Sequence, residues 1–222
     1  FNTNNPDLVR LFADNQGATL DWLIDVIGAP IHNRYPTDFP EHTVQRFFVA
    51  DGGSASIIQA LADKFVSDGG TILYETRATG LTTADGAVTG CVATAADGAT
   101  VTVKAKKTVL ATGGFGNNPE MLQGDTAKAV FYGVASSTGD GHRMAEAIGA
   151  KMVMMEYAKF YPQGISLPGT NAGKAMPLSA MPTTTGSGAI YVNLEGERVC
   201  DENLDFVSIK NATKQQTDTI IF

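Results

Sequence analysis

The 222-residue chain carries 16 Lys and Arg against 23 Asp and Glu, a formal net charge of −7, and 43% of its residues are hydrophobic. This length suits one large or two modest domains of a globular protein. The acidic balance, without a Lys/Arg-rich stretch, argues against nucleic acid as a partner. Apolar runs are too short to span a bilayer, and residues 1–5 lack the order of a signal peptide. We expect a soluble segment without membrane insertion or a targeting signal, and its sequence indicates no compartment.

The first third of the chain predicts helices followed by a strand. Apolar residues at helical spacing predict two short helices in residues 5–16 and 18–29, the second ending at Gly28. Residues 52–70 predict a longer amphipathic helix framed by glycines. That helix leads directly into a predicted strand at residues 71–76.

Residues 77–109 have the alternating pattern of β-strands, broken by Asp-Gly turns at Asp85-Gly86 and Asp97-Gly98. They predict a three-stranded meander. Residues 108–111 are apolar after the first and predict a strand buried on both faces. The predicted fold class is therefore α+β with α/β-like character, a nucleotide-binding sheet with a β-meander insertion.

A glycine-rich segment follows that last predicted strand. Gly113, Gly114 and Gly116 precede Asn118-Pro119, a helix start with Asn118 as cap. A residue without Cβ lets the backbone turn through positive φ or lets another molecule approach it closely. A glycine cluster by itself indicates structure rather than function, and the fingerprint G-x-G-x-x-G is absent.

A second glycine-rich segment spans residues 136–152. It predicts a helix over 141–148, capped by Asp140 and ended by Gly149. The unpaired N–H groups at the start of this helix would suit an anion or a polar ligand. The residues predicted to form its buried stripe are Met144, Ala145, Ala147 and Ile148.

Side chains that could bind a metal or act as nucleophiles form no recognised motif. We find no metal-ligand spacing, no serine hydrolase elbow and no CxxC pair. The isolated candidates are interpreted as ordinary thiols and as solvated or locally bonded histidines: Cys91, Cys200, His32, His42 and His142. Clustered methionines are interpreted as core filling and clustered acids as solvated turn charges: Met152, Met154, Met155, Glu195, Glu197, Asp201 and Glu202.

The pattern loosens beyond residue 155, where we place a domain boundary. Residues 189–193 predict a strand followed by a turn, and residues 217–222 predict the beginning of another strand. The two predicted domains are therefore 1–155 and 156–222.

Four segments, taken in order, resemble the succinate dehydrogenase/fumarate reductase flavoprotein family: 52–81, 109–122, 137–153 and 188–203. The similarity spans essentially the whole chain and points to the branch of flavocytochrome c fumarate reductases, urocanate reductases and ketosteroid dehydrogenases. The resemblance implies FAD as cofactor and hydride transfer between the flavin and an activated C–C bond of a small-molecule substrate. It does not indicate the electron donor.

The resemblance also implies which residues face the cofactor, in two turns: Thr112, Gly113, Gly114 and Phe115, then Thr138, Gly139, Asp140 and Gly141. Family members begin with a βαβ unit carrying G-x-G-x-x-G and end with a segment that returns to the flavin domain, and this sequence contains neither. We therefore expect a fragment, the later part of the flavin domain at 1–155 and the start of the capping domain at 156–222. Such a fragment is expected to be inactive alone and not to retain FAD.

Positions that the family uses for fumarate differ here. Its His-Pro-Thr segment is matched by Tyr161-Pro162-Gln163, its Thr-Glu pair by Met181-Pro182, and its proton-donating arginine by Phe206, four residues after Glu202. Phenylalanine cannot donate a proton or bind a carboxylate. The resemblance thus implies a substrate other than fumarate, with Tyr161 as a candidate substrate-side group. The alternative is a non-catalytic binding or scaffold module derived from the family.

Overall fold

A computed structural model describes residues 4–32, 44–45, 48–128, 131, 133–157, 165–166, 173–174, 189–216 and 219–221. The chain divides into two compact units, Phe1–Tyr74 and Glu75–Phe222. The predicted boundary near residue 155 lies inside the second unit and stays a prediction. Within the described ranges, no helix has both the length and the apolar character needed to cross a membrane.

The first unit opens with a single helix, α1 (Pro6–Asp25), where the spacing predicts two. The Asn5 side chain caps it by accepting the N–H of Asp7 at 3.0 Å. Gly17, between the two predicted helices, is tolerated within a continuous helix at a cost of about 1 kcal/mol relative to alanine. Gly28 has a φ of 75° just beyond the helix end, as predicted.

Helix α2 (Ser54–Ser67) is confirmed. The small core of this unit contains Ala29, Ile31 and Ala50, packed against half-buried side chains from α1 and α2. The predicted strand at residues 71–76 is wrong. Leu73 is 52% exposed, and residues 71–76 form no β-ladder with any described segment.

The second unit begins with the predicted meander, which is confirmed. Strands β1 (Arg77–Ala84), β2 (Ala87–Thr94) and β3 (Thr100–Lys104) form an antiparallel sheet in the order β1-β2-β3. Asp85 and Gly86 both have positive φ, 49° and 76°, the requirement of a type I′ hairpin turn. The α+β fold class is confirmed as well.

The predicted buried strand at residues 108–111 is wrong. These residues form no ladder with any described segment, and Val109 is 86% exposed. The helix predicted after it is a single 3-10 turn, Pro119–Met121, capped by Asn118, and a second 3-10 turn covers Gly124–Lys128.

Among the described residues, the remainder of the second unit contains two short helices and two strand pairs. Helix α3 (Asp140–Ala147) lies within the second glycine-rich segment, and α4 (Phe206–Lys214) is capped by Asp205. The pairs are β4 (Ile165–Ser166) with β5 (Gly173–Lys174), and β6 (Tyr191–Asn193) with β7 (Thr219–Ile221), both antiparallel. The strands predicted at 189–193 and 217–222 are confirmed as β6 and β7.

Candidate active site

The two glycine-rich segments lie against each other. We call Thr112–Phe115 the first glycine turn and Thr138–Gly141 the second. The N–H of Gly139 donates a hydrogen bond of 3.1 Å to the carbonyl oxygen of Gly114. All eight residues that the resemblance assigns to the cofactor are thus in one region.

Two asparagines after the first glycine turn hold this arrangement. The Asn117 side-chain amide donates to the carbonyl of Ala135 at 2.7 Å, and that of Asn118 donates to the carbonyl of Thr138 at 2.8 Å. The Asn118 side chain also accepts the N–H of Glu120 at 3.2 Å, as the predicted cap. Asn118 therefore joins a helical cap to the second glycine turn.

Gly139 and Gly141 are glycine because the turns are packed closely. A Cβ on Gly141 would lie 2.0 Å from Oγ1 of Thr112. A Cβ on Gly139 would lie 2.3 Å from Sδ of Met121 and 3.0 Å from Cβ of Phe115, and Gly139 also has a φ of 78°. Internal packing and backbone conformation account for both residues.

Gly114 has a different reason to be glycine. Gly113 needs its φ of 75°, but Gly114 is not among the residues with positive φ, and a Cβ on Gly114 would meet nothing within 4 Å. Gly114 is also exposed. Neither conformation nor packing requires glycine there, whereas the close approach of another molecule to the backbone would.

Asp140 does not cap α3, contrary to the prediction. Gly139 is the N-cap residue, and no side-chain cap bond is made. The Asp140 carboxylate instead accepts Nε and Nη2 of Arg77 at 2.7 and 2.8 Å, and the hydroxyl of Thr138 at 3.0 Å. The Arg77 guanidinium lowers the pKa of Asp140. Because Arg77 begins β1, the pair ties the meander to the second glycine turn.

The buried stripe of α3 is shorter than predicted. Met144 is buried, but Ala147 is exposed and Ile148 is 40% exposed. The helix ends before Ile148 because the chain turns at Gly149, which has a φ of 89°. Only the part of α3 nearest the glycine turns packs inward.

An open cleft of about 610 Å³ lies beside the first glycine turn. Residues 110–113 form part of its lining, Gly141, His142 and Ala145 of α3 another part, and residues 150–153 with Met155 the rest. The interpretation of the clustered methionines as core filling is wrong for Met154, which is 46% exposed, while two others line the cleft.

His142 is the polar ring in the cleft lining that sequence reasoning missed. Its centroid lies 5.2 Å from that of Phe115 at an interplanar angle of 80°, an edge-to-face contact. Its Nδ1 is buried without a hydrogen-bond partner among the described residues. His32, in contrast, is exposed and contacts Asp51, as a locally bonded histidine should, and His42 lies outside the described residues. The available signal was the position of His142, directly after the Thr-Gly-Asp-Gly motif.

Comparison with known proteins decides the family. A family described as FAD binding domain matches residues 2–218. The chain belongs to the succinate dehydrogenase/fumarate reductase flavoprotein family. The expectation drawn from the four resembling segments is confirmed.

Two relatives and one solved structure that are similar to this chain are named as reductases. Urocanate reductase from Eggerthella lenta is 34% identical over 97% of this chain and 36% of the relative. Vinyl phenol reductase from Lactiplantibacillus plantarum is 31% identical over 87% of this chain and 40% of the relative. The open conformation of a flavocytochrome c3 fumarate reductase superposes with a TM-score of 0.77 and 25% identity, over 96% of this chain and 37% of that chain. The chain therefore spans little more than a third of the length of these relatives.

Outside the cleft lies a buried acid, Glu202, which the sequence analysis interpreted as a solvated turn charge. Glu202 is 5% exposed and is not a solvated turn charge. Its carboxylate accepts the backbone N–H of Tyr191 at 3.0 Å and pairs with Arg198, whose Nε lies 3.2 Å from Oε1 and whose Nη2 contacts Oε2. The Arg198 guanidinium lowers the pKa of Glu202 to about 2, and burial raises the pKa of Tyr191 to about 12.

Both cysteines are free thiols, as predicted, and burial raises the pKa of Cys200. Phe206, at the position matched to the family's arginine, is the first residue of α4. Tyr161 and Met181 lie outside the described residues. No group of three or more potential metal ligands occurs in the part of the chain that the structure describes.

Proposed function

We propose that this chain forms part of the FAD site of an oxidoreductase, with both glycine turns against the cofactor. The supporting observation is that Gly114 is exposed, although neither its φ nor its packing requires glycine there. Gly114 lies next to Gly113, which lines the cleft. Bound FAD would supply the hydride chemistry, and the protein would supply binding and orientation.

The eight residues divide into two roles in this proposal. Gly113 and Gly114 allow the cofactor to reach the backbone, and Thr112 lines the cleft beside them. The second glycine turn supports this surface through the hydrogen bond from Gly139 to Gly114, and its Gly141 also lines the cleft. Gly139 and Gly141 let the turns pack, and the Asp140 carboxylate is already bound by Arg77 and Thr138. Asp140 therefore acts as a positioning residue.

The reaction we propose is transfer of a hydride between the flavin and an activated C–C bond of a small molecule. Relatives named urocanate reductase, vinyl phenol reductase and fumarate reductase support this class of reaction. Fumarate itself is not proposed, because Phe206 stands where the resemblance expects the proton-donating arginine. Tyr161 stays our candidate for a substrate-side polar group, and substitution by phenylalanine should impair turnover if that role is right.

The cofactor site is tested by adding FAD to the isotope-labelled 222-residue chain and recording backbone amide NMR shifts. We expect shifts concentrated at Gly113 and Gly114, with smaller ones in the second glycine turn. Because the sequence lacks the G-x-G-x-x-G unit that holds the pyrophosphate, we expect FAD to exchange rapidly and not to be retained, so flavin fluorescence should not quench to saturation at low concentration. Shifts scattered over α1 or absent altogether would contradict the site, and tight saturable quenching would contradict the expected rapid exchange.

A binding or scaffold module without catalysis is the second candidate, favoured by Phe206 at the arginine position. The two are separated with a protein of the relatives' full length, by reducing its bound FAD and following flavin reoxidation on addition of unsaturated small molecules. If any of these molecules reoxidises the bound reduced FAD faster than it reoxidises free reduced FAD, the result supports the enzyme. Equal rates across a broad panel support the module.

A further inference from the structure

We infer that His142 is a cofactor-facing residue of the cleft, donating a hydrogen bond from Nε2 to an oxygen of bound FAD. This inference rests on the proposed function, because it takes FAD as the molecule in the cleft. It adds a residue outside the eight positions that the resemblance supplied.

The placement of His142 follows from the packing of the glycine turns. His142 directly follows Gly141. A Cβ on Gly141 would lie only 2.0 Å from Oγ1 of Thr112, so these two segments are packed closely. His142 lines the same cleft as Thr112, Gly113 and Gly141. The edge-to-face contact with Phe115, at 5.2 Å and 80°, fixes the ring from the side of the first glycine turn.

The two ring nitrogens have different surroundings. Nδ1 is buried and has no hydrogen-bond partner among the described residues. A proton on Nδ1 would bury an unpaired N–H, a rarer and costlier arrangement than a buried lone pair. The neutral ring is therefore the tautomer protonated on Nε2. Because the ring lines the cleft while Nδ1 is buried, Nε2 is the nitrogen that can reach a molecule there.

The hydrogen-bonding capacity of the ring matches the chemistry of FAD. A neutral Nε2–H is a donor, and the flavin carbonyls, ribityl hydroxyls and pyrophosphate all present acceptor oxygens. A donor aimed at an acceptor from a rigid ring loses little conformational freedom on binding, because Phe115 already restricts the ring. A bond from His142 would thus add affinity on top of the contacts made by the glycine backbone.

The test uses the ¹⁵N-labelled 222-residue chain and long-range ¹H–¹⁵N NMR, which reports the protonation of each ring nitrogen. The sequence has only 3 histidines, and the signal of His142 is the one lost in His142→Gln. Without FAD, we expect the spectrum of an Nε2–H tautomer. On addition of FAD, the Nε2 signal of His142 should shift together with the amides of Gly113 and Gly114, while the ring signals of His32 should not.

Each outcome has a separate meaning. An Nδ1–H tautomer in the free protein overturns the inference, whatever FAD does. Amide shifts at the glycines without a shift at His142 Nε2 overturn it but leave the proposed cofactor site intact. No shift at the glycines or at His142 rejects the proposed site, and the role of His142 with it.

Two variants provide an independent readout that needs no activity. His142→Gln retains an N–H donor at similar reach, whereas His142→Leu removes it at similar bulk. If the hydrogen bond exists, FAD affinity measured by NMR titration should fall severalfold more in His142→Leu than in His142→Gln. His32→Gln, which alters an exposed histidine of the other unit, is the matched control and should bind like the unchanged chain. Equal losses in the Leu and Gln variants would overturn the donor role.

Discussion

The Arg77 guanidinium donates two hydrogen bonds to the Asp140 carboxylate, from Nε to Oδ2 at 2.7 Å and from Nη2 to Oδ1 at 2.8 Å. The two residues are 63 positions apart in the sequence. The two residues are the first of β1 and the first of α3. Planar two-point pairing of this kind fixes orientation as well as distance. The meander therefore contributes to the candidate cofactor site by holding the second glycine turn.

We predict that Arg77 and Asp140 act as a coupled pair in chemical denaturation. Arg77→Ala and Asp140→Asn should each lower the free energy of unfolding, and the double variant should be no worse than the more damaging single one. Arg77→Lys, which keeps the charge but loses the fork, should lie between Arg77→Ala and the unchanged chain. The exposed pair Arg143 and Glu120, with side chains 53% and 80% exposed, is the control and should show near-additive effects. Additivity at Arg77 and Asp140 would show that the pair is not coupled.

The same pair has a definite pH dependence. Hydrogen bonding by Arg77 lowers the pKa of Asp140 from its ordinary value of 3.8. A carboxyl group with a lowered native pKa stabilises the fold above its unfolded pKa, and this contribution disappears as the pH falls through the native value. The difference between the unchanged chain and Asp140→Asn should thus be complete at neutral pH and shrink below pH 3.8, as followed by denaturation midpoints. A difference that grows on acidification would contradict the assignment.

Substitution by alanine should lower the stability of the chain at Gly141 but leave it nearly unchanged at Gly114. Gly141→Ala should destabilise the chain by about 1–3 kcal/mol, since the new Cβ collides with Thr112. Thr112→Ala in that background should recover part of the loss by removing Oγ1. Gly114→Ala should change stability by less than about 0.5 kcal/mol, because its Cβ meets nothing within 4 Å.

Gly114→Ala should weaken FAD binding although it leaves stability nearly unchanged. Alanine there places a methyl group where the cofactor is proposed to approach, so the FAD-induced amide shift at Gly113 should weaken although the protein remains folded. Thermal unfolding and NMR titration of the same samples separate the two effects. Unchanged FAD titration in Gly114→Ala would contradict a cofactor at this position.

Local patterns were enough to predict the elements that stabilise themselves. Helix α2 has its own amphipathic period, and the hairpin at Asp85-Gly86 has the residues that its turn requires. The segments at 71–76 and 108–111 were mispredicted because an apolar run becomes a strand only when another strand pairs with it. That partner is a property of the tertiary structure and cannot be read from the segment itself.

The candidate site was predictable in location but not in detail. The resemblance named both glycine turns, yet a glycine looks the same in sequence whether it serves packing, as Gly141 does, or leaves open backbone, as Gly114 does. Asp140 was assigned to a local cap because its partner, Arg77, is distant in sequence. The role of His142 depends on which ring nitrogen is buried, which only a three-dimensional structure can show.

Within the meander, Gly90 and Gly80 form a matched pair of tests. Gly90 in β2 has a φ of 148° next to a register shift, and a Cβ there would lie 1.9 Å from the carbonyl oxygen of Val103. Gly90→Ala should cost about 1–3 kcal/mol, since backbone must move to accept the methyl group. Gly80→Ala in β1, where nothing lies within 4 Å, should be neutral or stabilise by about 0.5–1 kcal/mol through reduced chain entropy. Similar effects at both positions, measured by urea denaturation, would contradict the described sheet.

Glu202 should make the stability of the β6 region depend on pH. Its pKa is lowered from 4.5 to about 2, first by Arg198 and also by the N–H of Tyr191. The sign follows as for any carboxyl with a lowered native pKa: the stabilisation is present above pH 4.5 and is lost as the pH falls toward 2. Glu202→Gln, which keeps the shape but not the charge, should therefore cost roughly 1.5–3 kcal/mol at neutral pH.

The difference between the unchanged chain and Glu202→Gln should close between pH 4.5 and about 2, because protonation then makes the two side chains alike. Denaturation midpoints across this range measure it. Glu195→Gln in the adjacent exposed turn is the control, and its stability should follow that of the unchanged chain at every pH. A Glu202→Gln deficit that persists undiminished at pH 2 would mean that the lost stability comes from packing around the carboxyl rather than from its charge.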